Sequence, residues 1–130
     1  MILGVVLLSL LVSPQRVDPK EPEISFDQKL QLVFGDKAPL MKAIAKAESG
    51  LDEKQVSYNC LINGKNKPCR NKNLAWSSDC GTFQINVKGK ECPAHLLTLD
   101  GNLHEAKKKL DSEGLKAWVA WKNGRYKRFL

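Results

Sequence analysis

The chain has 130 residues, enough for a single domain with a substantial hydrophobic core. Hydrophobic residues make up 42% and charged residues 27%, so the composition is that of a globular protein and excludes a low-complexity chain. The net charge of +7 predicts an anionic partner such as nucleic acid, a membrane surface or a bacterial cell wall. A basic surface without any specific partner fits the composition equally well.

The chain begins with an apolar run over residues 2–12, interrupted only by Gly4 and Ser9. This run is too short to span a bilayer comfortably and is typical of a secretory signal, although no Lys or Arg precedes it. We expect an exported protein that is secreted, periplasmic or membrane-anchored, with residues 1–13 as a signal peptide or short anchor. Residues 14–22, rich in proline and charge, are predicted to form a linker. A truncated gene start and a buried core strand are the alternatives for the apolar run.

A first helix is predicted over residues 26–34. Ser25 and Gln28 have the spacing of a capping box, in which each side chain accepts a hydrogen bond from the other residue's backbone N–H. Gly35 follows the last apolar residue of this segment and is expected to end the helix.

A second helix is predicted to begin at Pro39 and to end at Glu48 or Ser49, with Gly50 as its stop. One face of this helix is apolar, through Leu40, Ile44, Ala47 and Leu51. Glu48 lies on that same face and at the helix C-terminus, and both positions disfavour its negative charge. A carboxyl group kept protonated near neutral pH is what a general acid requires. The alternative is that the helix end frays and Glu48 turns into solvent.

Residues 56–90 are rich in Asn, Lys, Gly and Ser and are predicted to form short strands and loops. The four cysteines lie too far apart in sequence for a zinc ribbon, so we expect no metal and favour two disulfides over a reduced intracellular set. The Asn63-Gly64 dipeptide favours a tight hairpin turn, which would bring the first two cysteines together. We therefore favour the pairs Cys60–Cys69 and Cys80–Cys92.

A third helix is predicted from the spacing of Leu103, Ala106 and Leu110, with Gly114 as its end. Residues 115–122 are predicted to form a short apolar helix with two tryptophans. The predicted fold class is α+β, mainly helical, with a small β region in the middle of the chain.

Three blocks of the sequence resemble animal-type lysozymes and occur in the same order. They are Glu48-Ser49-Gly50 at a helix end, the segment 79–86 (DCGTFQIN), and the segment 117–121 (AWVAW). The first two blocks also resemble bacterial lytic transglycosylases. The resemblance covers residues 38–128 and implies that residues 23–130 form a lysozyme-like catalytic domain.

The sequence departs from animal lysozymes in its cysteines. Those proteins have more cysteines at other positions, and Cys80 replaces their usual tyrosine. The interval between Glu48 and Asp79 is also longer, with residues 63–73 as the extra segment. These departures favour a bacterial or phage protein, or a distant branch of the superfamily.

The resemblance implies two catalytic carboxyl groups. Glu48 would protonate the glycosidic oxygen as general acid, with Trp118 packed against it to keep the acid in an apolar pocket. Asp79 would be the second carboxylate that a retaining glycosidase places about 5 Å from the first. The alternative for Asp79 is a turn residue that accepts hydrogen bonds from backbone N–H groups before Gly81.

Further residues are predicted to contact the sugar. Gln84 and Asn86 alternate with Phe83 and Ile85, and on an extended segment this pattern places two amides on one face. Ser49 is expected to brace the helix end beside Glu48. The complete set of predicted substrate-binding residues is Ser49, Gln84, Asn86, Ala117, Trp118 and Trp121. Three aromatic rings are predicted either to stack on sugars or to pack in the core: Tyr58, Trp76 and Trp121. Two histidines are predicted to lie at the surface: His95 and His104.

These residues together predict an enzyme that cleaves the β-1,4 bond between N-acetylmuramic acid and N-acetylglucosamine in peptidoglycan. We expect a monomer that acts on a glycan strand, without a cofactor, without nucleic acid, and with peripheral association with a membrane or cell wall. One alternative is a glycan-binding protein that has lost catalysis. The other is a cationic membrane-active protein that uses Lys107–Lys109 and the basic segment 125–128.

Overall fold

The computed structural model describes Pro14 and residues 19–130. The predicted signal or anchor at residues 1–13 lies outside the described residues, as do residues 15–18 of the predicted linker. Four α-helices are described: α1 (Phe26–Phe34), α2 (Ala38–Ser49), α3 (Leu99–Glu113) and α4 (Val119–Lys122). The strands are β1 (Val56–Ile62), β2 (Lys65–Cys69), β3 (Ser77–Cys80) and β4 (Ile85–Lys88). The α+β class, with a small central β region in a mainly helical chain, is confirmed.

The two ends of α1 agree with the sequence prediction. The Ser25 Oγ accepts from the Gln28 backbone N–H at 3.2 Å, and Gln28 Oε1 accepts from the Ser25 N–H at 2.9 Å. Both bonds of the capping box are therefore present, and they satisfy donors that a helix N-terminus leaves without intrahelical partners. Gly35 forms the C-cap with a positive φ of 56°.

Helix α2 forms the centre of the core. It begins one residue before Pro39 and ends at Ser49, and the C-cap Gly50 has a φ of 66°, the left-handed conformation expected of a helix stop. The predicted single apolar face is wrong in detail, because the buried residues surround more of the helix: Ala38, Met41, Ala43, Ile44 and Ala45. The reason is that α2 packs against α1, against α4 and against the C-terminal turn Arg125–Phe129.

The strands form one antiparallel sheet in the order β2-β1-β3-β4. Strands β1 and β2 form the predicted hairpin, in which Ile62 pairs with Lys65 across a turn at Asn63 and Gly64, both with positive φ. The favoured disulfide pairing is confirmed, with Cys60 bonded to Cys69 and Cys80 bonded to Cys92. The first bridge closes the hairpin, and the second ties the end of β3 to the loop before α3.

The predicted continuous helix over residues 115–122 is wrong. Leu115–Ala117 form a single 3₁₀ turn, Trp118 is extended with φ −106° and ψ 131°, and α4 begins only at Val119. Two long-range hydrogen bonds accompany this break. The Trp118 indole N–H donates to the Phe83 carbonyl, and the Ala120 N–H, which a continuous helix would direct at the residue 116 carbonyl, donates to Glu48.

Candidate functional site

A turn at residues 81–84 connects the sheet to the helices that surround the candidate site. Asn102 of α3, fully buried, donates its amide hydrogens to the Cys80 and Leu96 carbonyls at 2.8 Å each. Its side-chain oxygen accepts from the Phe83 backbone N–H, also at 2.8 Å. The bonds to Cys80 and Phe83 hold the backbone on both sides of Gly81 against α3.

Gly81 allows this close approach. Its φ is 72°, and a Cβ at this position would lie 2.2 Å from the Leu96 carbonyl oxygen and 2.4 Å from the Asn102 amide nitrogen. No side chain fits in that space, so only glycine permits the turn to pack this tightly.

Asn102 was not among the predicted residues, although its position in the sequence carries a signal. Asn102 precedes Ala106 and Leu110 by four and eight residues, so it lies on the buried face of α3. A polar residue on a buried helix face needs hydrogen-bonding partners inside the protein. The same reasoning that selected Glu48 would therefore have selected Asn102 as a polar anchor in the core.

The prediction of an extended segment with Gln84 and Asn86 on one face is wrong for Gln84. Gln84 ends the turn, with φ 48°, and its amide donates to the Gly81 carbonyl at 2.9 Å and the Gln55 carbonyl at 3.1 Å. These backbone contacts, which stabilise the turn, already use both amide hydrogens. The extended conformation begins at Ile85, so Asn86 alone of the two amides lies on a strand.

Asp79 lies on β3 and faces two side-chain amides. Its Oδ2 accepts from Asn59 Nδ2 at 3.0 Å, and its Oδ1 accepts from Asn86 Nδ2 at 2.8 Å. Asn86 is directly opposite Asp79 in the β3–β4 register, and Asn59 is opposite Ser77 in the β1–β3 register. One face of the sheet thus carries a row of polar side chains. The alternative interpretation of Asp79 as a turn residue is wrong, because it is in a strand and its partners are side chains.

Glu48 lies in the last turn of α2, half-buried, and does not fray into solvent. Its Oε1 accepts from the Ala120 backbone N–H at 2.8 Å, across 72 residues of sequence. Burial is the largest influence on its ionisation and raises the pKa of this carboxyl above its ordinary value of 4.5, and the negative charge of Asp79 also raises it. The Ala120 hydrogen bond and the positive charges of Arg125 and Lys122 oppose this effect without cancelling it.

Two of the predicted residues support the elements that position Glu48. Ser49 braces the helix end as expected, because its hydroxyl donates to the Thr82 carbonyl at 2.7 Å. Trp118 is buried, and its ring packs edge-on against Phe83 at 6.0 Å between centroids. Trp118 therefore fixes the backbone from which Ala120 reaches Glu48, while direct packing of its ring against the carboxyl group stays a prediction.

The other predicted sugar-binding residues lie in varied surroundings. Trp121 is half-buried and stacks on Tyr126 at 4.7 Å. Trp76 is exposed, but Lys88 Nζ lies 5.0 Å from its ring centroid. Ala117 and Tyr58 are half-buried, and His95 and His104 are exposed at the surface as predicted. Sugar binding by these rings stays a prediction.

Two surveys of the described residues bear on other kinds of site. No group of three or more His, Cys, Asp or Glu side chains in this part of the chain could hold a metal ion. Among the helices of Pro14 and residues 19–130, none has the length and apolar character that crossing a membrane requires.

Comparison of the chain with protein-family models, with curated proteins and with solved structures found no match in any of the three. The resemblance to lysozymes and lytic transglycosylases therefore stays a prediction from the sequence blocks.

The raised pKa of Glu48 predicts a specific dependence of stability on pH. The folded protein binds the proton of the Glu48 carboxyl group more tightly than the unfolded chain does. The contribution of this group to the free energy of unfolding is therefore complete below pH 4.5, and it is lost as the pH rises through the raised pKa. Glu48→Gln stays neutral and can still accept from the Ala120 N–H. It should therefore be more stable than the wild type near neutral pH, and this gain should shrink as the pH falls toward 4.5.

Urea unfolding of the wild type and of Glu48→Gln across this pH range measures the difference directly. A difference in unfolding free energy that is independent of pH, or that grows as the pH falls, would contradict the raised pKa.

Proposed function

We propose that this protein is a peptidoglycan-cleaving glycosidase, which breaks the β-1,4 bond between N-acetylmuramic acid and N-acetylglucosamine. The observation that carries the proposal is a pair of carboxyl groups in different environments. Glu48 is half-buried with a raised pKa, and Asp79 is held by two amides and acts electrostatically on Glu48. Two carboxyl groups whose surroundings differ in this way are typical of an acid and its charged partner in glycoside cleavage.

Each group has a distinct chemical task. Glu48 would donate its proton to the glycosidic oxygen, so that the leaving sugar departs as an alcohol when the bond breaks. Positive charge then develops on the remaining sugar ring, and Asp79 would stabilise that charge or bond to the anomeric carbon. Water would complete the reaction, with Glu48, now ionised, taking its proton.

The surroundings of Asp79 support hydrolysis over transglycosylation. Asn59 and Asn86 direct their N–H groups at the two carboxylate oxygens, which fixes the orientation of the group on the sheet face. A fixed second carboxylate can stabilise the charged sugar until water attacks. A lytic transglycosylase manages with one acid, because the substrate's own groups can attack the anomeric carbon.

The proposal also includes the expected setting of the enzyme. Both carboxyl groups come from one chain, so a monomer suffices, and the acid–base chemistry requires neither a metal nor another cofactor. Since peptidoglycan lies outside the cytoplasmic membrane, the protein would act after export.

The rival function of membrane disruption depends on two basic segments, of which the lysine run 107–109 is paired and the segment 125–128 forms no ion pair among the described residues. Lys107 and Lys109 pair with Asp111 and Glu113, and Lys108 pairs with Glu105. These pairs neutralise the run along α3. The second rival, a glycan-binding protein without catalysis, is separated from the enzyme by the activity measurements that follow.

Glu48→Gln should abolish wall lysis while leaving the fold intact, because the amide has the same shape but no acidic proton. The expected loss in a zymogram or turbidity assay is roughly 100-fold or more. Glu53→Gln, which changes an exposed carboxyl group five residues along the chain, is the matched control and should keep its activity. Lysis by Glu48→Gln above a few per cent of wild type would exclude Glu48 as the acid, and inactivity of the wild type would favour the glycan-binding alternative.

The products distinguish the two reaction types. Hydrolysis leaves a reducing N-acetylmuramic acid, whereas transglycosylation leaves a 1,6-anhydro end that is one water lighter in a mass spectrum. We expect reducing ends from the wild type, and a loss of activity on the order of 100-fold in Asp79→Asn, which removes the charge but keeps the shape. Anhydro products together with an active Asp79→Asn variant would show that Asp79 does not take part in the reaction.

A further inference from the structure

The C-terminal segment carries positive charge that no described carboxylate neutralises. Residues 114–130 contain no Asp or Glu, and within the described part of the chain none of the cations of this segment forms an ion pair. We name these residues the C-terminal cations: Lys116, Lys122, Arg125, Lys127 and Arg128. All are exposed. They contrast with Lys107, Lys108 and Lys109 of α3, which are paired.

Two of the C-terminal cations lie beside Glu48. The Ala120 N–H bonds to the Glu48 carboxylate, and Lys122 follows two residues later on the same short helix. The Arg125 N–H donates to Asn123 Oδ1 at 3.0 Å, which shapes the turn that follows α4. Stacking of Trp121 on Tyr126, on either side of this turn, holds the whole segment in place.

These two cations oppose the proposed role of Glu48. The positive charges of Lys122 and Arg125 lower the pKa of that carboxyl, whereas a general acid benefits from holding its proton. Their position beside the site therefore has no explanation in the acid step itself. An exposed Arg and Lys next to the candidate acid are suited to an anion, because Arg can bind a carboxylate through two parallel hydrogen bonds and Lys supplies a mobile positive charge.

We infer that Lys122 and Arg125 form a subsite for the carboxylates of the peptide stems that N-acetylmuramic acid carries in peptidoglycan. This inference rests on the proposed function, since it places a substituted glycan strand across Glu48 and Asp79. In an intact strand the lactyl group is joined to the stem by an amide bond, so the free carboxylates near the sugar belong to the stem. The enzyme should consequently select glycans with charged stems over the same glycans with neutral stems.

The test compares the affinities of two glycan probes for the Glu48→Gln variant. This variant does not cleave the glycan, and without the Glu48 carboxyl group a substituted cation cannot change binding through the ionisation of that group. The probes are a muramyl tetrasaccharide with peptide stems and the same compound with its stem carboxylates converted to amides. By calorimetry at low ionic strength, the charged form should bind tighter on the order of 10-fold, as expected for two exposed ion pairs, and salt should reduce the preference. The ratio of kcat/KM for the two probes, measured with the wild type, should show the same preference.

Two double variants with equal loss of charge locate the subsite. Lys122→Gln with Arg125→Gln should remove the preference for charged stems. Lys127→Gln with Arg128→Gln changes cations that are not among the groups acting on Glu48, and it should keep the preference. A preference that survives the first pair, or that the two pairs reduce equally, would overturn the assignment to Lys122 and Arg125.

The failure of this inference is distinguishable from the failure of the proposed function. Equal affinity and equal cleavage of the two probes by an active enzyme would overturn the stem subsite alone. Absence of binding and of cleavage for both probes would overturn the subsite and the proposed function together. Binding to phosphatidylglycerol vesicles that depends on Lys122 and Arg125, combined with equal affinity for the two probes, would assign these cations to a membrane surface instead.

Discussion

The buried Asn102 side chain donates to the Cys80 carbonyl and accepts from the Phe83 N–H, and these bonds hold the turn at residues 81–84, from which the candidate site is built, against α3. The Thr82 carbonyl accepts from Ser49 at the end of α2, and the Phe83 carbonyl accepts from the Trp118 indole. One turn thus sets the position of the helix that carries Glu48 and of the segment whose backbone binds it. A polar group in the core that loses its partner costs about 1–3 kcal/mol. The bonds around this turn therefore restrain one another, because a shift of the turn would leave several of these groups unpaired.

The electrostatics of the site follow from which groups are paired. Burial favours the protonated form of Glu48, while hydrogen bonds from two amides orient the carboxylate of Asp79 on the sheet face. The ion pairs of α3 neutralise its lysines, whereas Lys122 and Arg125, whose charges act on Glu48, form no ion pair with a described carboxylate.

Local sequence signals predicted the features that local interactions determine. The capping box at Ser25, the stop at Gly50 and the hairpin turn at Asn63-Gly64 each depend on residues a few positions apart, and the turn also indicated the disulfide pairing. The errors concern long-range contacts. Periodicity could not show that the Trp118 indole bonds to a carbonyl 35 residues earlier, at the break in the last helix. It also could not show that the backbone turns at Gln84, beside the residue that binds Asn102 of α3. For the candidate site, Glu48 and Asp79 could be selected from the sequence. The amides that surround Asp79 could not be identified in this way, because their positions depend on the strand register.

The central claim is that the fold raises the pKa of Glu48, through burial and through the negative charge of Asp79. A pH titration of the side-chain carboxyl carbons by ¹³C NMR measures this most directly, with the Glu48 signal assigned by its absence in Glu48→Gln. The account predicts that the pKa of Glu48 lies above 4.5 in the wild type and falls in Asp79→Asn, because the neighbouring negative charge is removed. A pKa at or below 4.5, or one that Asp79→Asn leaves unchanged or raises, would contradict it.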